Sequence, residues 1–344
     1  LSSDKQREFG PKFGAGTPLH EHHTTSLVFS DPPLHTRVRR LMMGALNQRA
    51  IARMEAGVLA LVDGLLDALQ GRVRADLIED FAAQIPVEVI GNLLEVPRSE
   101  RAPLRGWSLA ILSALEPAPA ADVLARGHAA VSAFLDYLRT LVAQRRRTPG
   151  DPDADVLTRL IQGEFDGERL SEAELLHNCI FLLNAGHETT TNLIANAVVE
   201  LLEHPAEWAR LRAEPALLSS AVEEFLRYQS PNQLGNRRVV ADVAIGGVAM
   251  PEGTLVTLGI GAANRDPAHF PDPDRLDLGR TPNRHLAFIT GIHACAGMWL
   301  ARMEGAVAIG RLVERFARLR AAAPPVRARR ARFRVVSSFP VAIG

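Results

Sequence analysis

The chain has 344 residues, 39 basic against 39 acidic side chains, 47% hydrophobic residues and two cysteines. Zero formal net charge argues against a nucleic-acid partner held through phosphates. Cys179 and Cys295 cannot build a disulfide framework, which points to a reducing, cytoplasmic setting. No run of eighteen apolar residues marks a membrane span and no charged-then-apolar leader opens the residues given. The length allows one large domain or two ordinary ones, with a core that needs no staple.

Near the start, Leu19-His20-Glu21-His22-His23-Thr24 invites a metal-site reading. Ligands so close in sequence cannot all face one ion from regular structure, and no distant Cys/His cluster completes a site. Residues 36–70 then carry apolar positions at helical spacing: Val38, Leu41, Met42 and Leu46, followed by Met54, Val58, Leu61 and Leu65. A second helical stretch, 120–147, stops at the loop composition Thr148-Pro149-Gly150-Asp151-Pro152. Strand signals are few and late: Arg238–Ala244, Thr254–Leu258 and Arg332–Ser337. With aromatics at 5%, the composition predicts a mainly α architecture with a small β region.

The longest predicted helix opens at Ser171-Glu172-Ala173-Glu174, a capping box, and closes at His204-Pro205. At 1.5 Å per residue it runs roughly 48 Å, long enough to cross a domain. Its middle reads Asn184-Ala185-Gly186-His187-Glu188-Thr189-Thr190-Thr191-Asn192. A glycine, a carboxylate and three threonines are poor choices for a buried helix, and such a local conflict marks a functional position.

Cys295 follows Phe288-Ile289-Thr290-Gly291-Ile292-His293-Ala294 and precedes Ala296-Gly297 and a helical run from Met298 to about Leu319. A thiolate just before a helix N-terminus is stabilised by unpaired N–H groups and the helix dipole. It can act as a soft metal ligand or as a nucleophile with His293 as base. Cys179, among Ile180, Phe181 and Leu182, reads as core. Glu224 and Arg227 stand at i, i+3 on another helical stretch, and Pro273-Asp274-Arg275-Leu276 lies in the irregular segment that leads to the cysteine loop.

In this order, Ala185-Gly186-His187-Glu188-Thr189-Thr190, Glu224-x-x-Arg227, Pro273-Asp274-Arg275-Leu276 and the Phe288–Gly297 loop resemble the cytochrome P450 family, from about Asp31 to the C-terminus. The resemblance implies one haem domain over 1–344, with the P450 fold and its long central helix crossing the haem. It makes Cys295 the axial thiolate of haem b, with Phe288 and Gly297 bounding the loop and backbone N–H groups tuning the sulfur. Thr189 and Glu188 would be the catalytic alcohol–acid pair for proton delivery, and Ala185 and Gly186 would leave room for dioxygen. Glu224, Arg227 and Arg275 would be a structural triad holding the cysteine loop. His35, Arg39, Arg237 and His293 would meet the haem propionates; His35 and Arg39, at i, i+4, share a helix face.

The implied activity is a monooxygenase acting on a small apolar substrate with dioxygen and electrons from a ferredoxin-type partner and its reductase. Arg302 and Arg311 could guide an acidic partner, or be ordinary surface charges. A peroxide-driven oxygenase, a non-catalytic haem protein and a haem-free thiol enzyme are the alternatives. By resemblance, the pocket draws on the loop before Ser30, the segment Trp107–Pro119, Phe181, Asn184–Ala185, the stretch after Pro231 and Ser338-Phe339, with Asn232, Gln233 and Asn236 as polar anchors. The His-rich stretch falls in the loop that caps this pocket, where substrate gating is expected. Two departures stand out: Ile289 replaces the family's usual glycine, and the family's first helices and strands have no counterpart in this sequence.

Overall fold

Ser171 and Glu174 close their capping box reciprocally: the Ser171 N–H donates to Glu174 Oε2 at 2.8 Å, and the Glu174 N–H donates to Ser171 Oγ at 3.2 Å. From that start the longest helix runs unbroken over Glu172–Glu203. The computed structural model describes residues 1–46, 48–152, 155–164 and 167–344.

In chain order the helices are α1 (Gln6–Phe13), α2 (Pro18–Thr25), α3 (Leu34–Ala45), α4 (Gln48–Leu69), α5 (Gln84–Leu93), α6 (Ala102–Ser113), α7 (Ala121–Arg147), α8 (Val156–Gln162), α9 (Glu172–Glu203), α10 (Pro205–Ala213), α11 (Leu218–Tyr228), α12 (Ile260–Ala263) and α13 (Met298–Arg315). The strands are β1 (Arg74–Asp76), β2 (Leu234–Arg238), β3 (Val243–Ile245), β4 (Val248–Met250), β5 (Leu255–Gly259), β6 (Arg320–Ala321), β7 (Val326–Arg327), β8 (Val336–Ser338) and β9 (Pro340–Ala342). The mainly helical expectation holds. The single stretch 36–70 is two helices, and the run after Cys295 ends at Arg315. The expected strand 238–244 straddles a turn in which Asp242 accepts from the Glu252 N–H. β1 and β9, of three residues each, are too short for a periodic signal.

Two compact units divide the chain. The first holds residues 1–50, 90–185 and 235–258; the second holds 51–89, 186–234 and 259–344. In the first, α6 and α7 pack side by side, and Gly127 lets α7 approach α2: an added Cβ would meet Leu19 Cδ1 at 3.0 Å and Ala114 Cβ at 3.1 Å. Arg37 of α3 pairs with Glu174 beside the cap of α9. In the second unit β9 lies between β1 and β6. Asn192 and Asn196 fasten the C-terminal strands to α9: Asn192 Oδ1 accepts from the Val336 N–H at 3.2 Å, and Asn196 Nδ2 donates to the Arg334 carbonyl at 2.9 Å.

The core of the second unit contains an ion cluster. Glu224 and Arg227 side chains are both fully buried, and Arg227 Nε donates to Glu224 Oε2 at 2.8 Å. Arg227 also donates to the carbonyls of Asn264, Pro273 and Arg275, which pins the irregular segment before the cysteine loop. The third cationic member is Arg280, not Arg275. Arg280 Nε reaches both Glu224 oxygens at 3.2 Å, whereas Arg275 is exposed and contributes its main-chain carbonyl. The segment turns between Asp272 and Arg280, so the later arginine is the one returned to the carboxylate.

Arg280→Ala should therefore cost about 2 kcal/mol, the worth of charge-assisted bonds to a buried carboxylate. Arg275→Ala should stay within about 0.5 kcal/mol of wild type. Urea midpoints of the two variants compare them directly, and equal losses would contradict this assignment.

Candidate functional site

Between Leu175 and Leu201 every residue of α9 is buried except Phe181, Ala185, Gly186 and Thr189. Positions 181, 185 and 189 recur every fourth residue, so they form one strip along one helix face. The strip coincides with the small-then-polar interruption of the sequence. Beside it the polar run satisfies itself: Thr191 Oγ1 donates to the His187 carbonyl at 3.0 Å, and Asn192 Nδ2 to that of Glu188 at 2.8 Å. Glu188 is 3% exposed and paired with Arg330, whose guanidinium also lies over the Phe333 ring at 4.9 Å.

The cysteine loop lies in the second unit. The Cys295 N–H donates to the Phe288 carbonyl at 3.0 Å, and Gly297 leads into α13, which puts the half-buried thiol just ahead of a helix N-terminus. His293 is half-buried in the turn before it. Two positive φ angles shape the loop, +48° at Ile289 and +79° at Gly291. Glycine adopts such angles freely, but Ile289 puts a β-branched side chain where it is strained.

Glu223, next to the Glu224 cluster, supports this loop and escaped the sequence reading. It accepts from Arg302 at 2.7 and 2.8 Å and pairs with His285 at 3.1 Å. Burial alone would raise its pKa; the bonds from Arg302 and His285 outweigh that and bring it to about 2. Arg302 stacks 4.7 Å from the Phe288 ring centroid. Arg311 is likewise paired, with Asp63 and Glu314. Both arginines considered as partner-steering charges are thus engaged within the protein.

In the first unit, α3 carries buried His35 and half-exposed Arg39, and β2 carries Arg237. Burial, then the Arg39 charge, lowers the His35 pKa, while Asp31 opposes them. Burial also lowers that of Arg237 against the pull of the same Asp31. Asp31 therefore places His35 and Arg237 in one neighbourhood. Of the expected polar anchors, Gln233 gives its amide to the Ser230 carbonyl and Asn236 is exposed. Asn232 has a buried amide oxygen without a hydrogen bond among the described residues. The His-rich stretch is helix α2 with His22 and His23 buried, and among the described residues no group of three metal-ligating side chains is found.

The donor set fits haem. A soft thiol at a helix N-terminus suits an iron ligand, and half-buried guanidinium and imidazole groups suit carboxylates of a prosthetic group. On α9, Ala185 and Gly186 are uncovered.

Comparison with known proteins agrees with that chemistry. The family profile described as Cytochrome P450 matches residues 118–325. Cytochrome P450 107B1 of Saccharopolyspora erythraea is 45% identical over 300 residues, which cover 87% of this chain and 72% of that protein. The vitamin D(3) 25-hydroxylase of Pseudonocardia autotrophica is 43% identical, over 84% of this chain and 70% of its own length. Among solved structures, P450BioI in complex with a hexadec-9Z-enoic acid-ligated acyl carrier protein superposes with a TM-score of 0.91 at 35% identity, covering 95% of this chain and 84% of its own.

Two outcomes follow from the loop and the helix behind it. Ile289→Gly should stabilise the protein by about 1 kcal/mol as the left-handed strain is relieved, less the entropy glycine adds to the unfolded chain; a lower urea midpoint would contradict this. On α13, Glu304 is 2% exposed with Oε2 unbonded among the described residues, and burial pushes its pKa up to about 8. The unfolded chain ionises this group near its ordinary 4.5 while the folded protein keeps it protonated, so stability should fall as pH rises from 5 to 8. Glu304→Gln should flatten that slope in denaturation curves taken across the window.

Proposed function

Because the chain belongs to the cytochrome P450 family, we propose that it is a haem-thiolate monooxygenase that oxidises a small apolar substrate, using haem b and electrons from a ferredoxin-type partner with its reductase. The observation that carries this reading is the Glu188-Thr189 acid–alcohol pair at the one opened stretch of an otherwise buried helix. The family's named relatives are monooxygenases; one is a vitamin D(3) 25-hydroxylase and another a cyclomarin C epoxidase. No helix among the described residues is long and apolar enough to cross a membrane.

Bound haem supplies the iron that activates dioxygen; the protein supplies its ligand, its seat and its protons. Cys295 would give the thiolate that holds the iron, stabilised by the α13 N-terminus and by N–H groups that follow it. His35, Arg39, Arg237 and His293 would hold the propionates through charge-assisted bonds. Ala185 and Gly186, uncovered on α9, would leave room for dioxygen. Thr189, half-exposed on the strip, would hold a proton at Oγ1 for delivery, and Glu188 would replace it from solvent. Glu188 is paired with Arg330, so its carboxyl group would have to leave that pair to carry a proton.

The dithionite-reduced protein should show, on adding carbon monoxide, the strongly red-shifted Soret band of thiolate-ligated haem, and Cys295→Ala should lose it. A band of the imidazole-ligated type in the unaltered protein would refute the ligand assignment. Thr189→Ala should retain haem and consume reductant while releasing hydrogen peroxide instead of product. Full coupling of reductant to product in that variant would overturn the proton-relay role.

A further inference from the structure

Three polar side chains of the first unit are buried with atoms that no described residue satisfies. His22 on α2 is 1% exposed, His177 on α9 is 6% exposed and Asn184 on α9 is 4% exposed. Asn184 Nδ2 lies 3.4 Å from His22 Nε2, and the His22 and His177 ring centroids are 5.7 Å apart, so the three form one cluster. His22 Nδ1, His177 Nδ1 and Asn184 Oδ1 have no hydrogen-bond partner among the described residues. Buried side-chain atoms are nearly always paired, and three exceptions together ask for a water or a ligand.

The place of the cluster favours a ligand. At about 100° per residue, Asn184 lies about 60° and His177 about 40° around α9 from Phe181, both on the same side. The cluster therefore borders Phe181, a partly open position of α9 within this unit. Behind it His23 stacks on His22 at 4.8 Å and is itself ringed by Phe9, Phe13 and Phe29, an apolar backing.

The atoms specify the chemistry. Asn184 Nδ2 donates to His22 Nε2, so the neutral His22 ring carries its proton on Nδ1 and presents a donor. Asn184 Oδ1 presents an acceptor. Burial lowers the pKa of His22 well below its ordinary value and that of His177 to about 4, so both rings are neutral at physiological pH. A hydroxyl can both accept from the imidazole and donate to the amide. An ionised carboxylate cannot donate and meets no positive charge on these three side chains, and a hydrocarbon leaves every atom unpaired. We propose that His22, His177 and Asn184 are a hydroxyl-binding subsite, and that the preferred substrate is an apolar skeleton already bearing an alcohol. This rests on the monooxygenase reading and names the substrate class for it.

Calorimetry on the haem-loaded protein with cyclododecanol, cyclododecane and dodecanoic acid tests the subsite without requiring turnover. Unaltered protein should bind cyclododecanol about tenfold or more tighter than cyclododecane, because the hydrocarbon leaves buried polar groups unpaired. In Asn184→Leu that ratio should collapse to about threefold or less while cyclododecane binds as well or better; His22→Phe, which keeps an aromatic ring in place, is the second variant. A ratio retained in both variants, or dodecanoate preferred by the unaltered protein, would overturn the proposal and leave the cluster as a water site. A thiolate-type carbon monoxide spectrum without hydroxyl selectivity counts against the subsite alone. Hydroxyl selectivity without that spectrum counts against the monooxygenase reading alone.

Discussion

A single buried carboxylate organises the second unit. Glu224 accepts from two guanidinium groups, from Asn283 and from the Asp277 N–H, and so has no unmet acceptor in a place where an unpaired charge would be ruinous. Through Arg227 it gathers the carbonyls of Asn264, Pro273 and Arg275, a stretch too rich in proline to make a helix or a sheet ladder. Asn264 in turn accepts from the Leu286 N–H at 2.7 Å, which ties the start of the cysteine loop to the same centre. A segment without regular secondary structure is thereby held as firmly as one with it. Glu223 does the same on the next face of α11, acting through Arg302 and its stacking on Phe288.

The polar middle of α9 shows how a helix can carry function without failing as a core element. Thr191 and Asn192 return their donors to carbonyls one turn back, and Asn192 and Asn196 use their remaining groups to dock C-terminal backbone. Positions that hydrophobic residues would fill in an ordinary core helix here do two jobs, internal satisfaction and docking. What is left uncovered is a phenylalanine, two small residues and one threonine, beside an acid paired with Arg330.

Elements with strong local signals were legible in the sequence. The capping box placed the start of α9 to the residue because two side chains and two N–H groups satisfy one another there, with no help from the rest of the fold. The cysteine, the acid–alcohol pair and the Glu224–Arg227 pair were legible because their chemistry requires fixed spacing. Arg280 was not, since only a turn of the chain decides whether it or Arg275 meets Glu224. The three-residue strands escaped because they exist by pairing, not by pattern. The His22–His177–Asn184 cluster joins residues more than 150 positions apart, and no one-dimensional reading brings those together. Ile289 was visible as an oddity, but its meaning needed the backbone angle.

The two thiols differ in exposure. Cys179 is wholly buried and burial pushes its pKa to about 12, so it is inert to alkylation and oxidation. Cys295 is half-exposed just ahead of the α13 N-terminus. Of the two thiols only Cys295 is accessible, and peroxide would carry it to sulfenic and then sulfinic acid. If Cys295 is the haem ligand proposed above, it is in this sense also a shelf-life determinant: oxidised past the sulfenic stage, it would no longer offer a thiolate, however intact the fold.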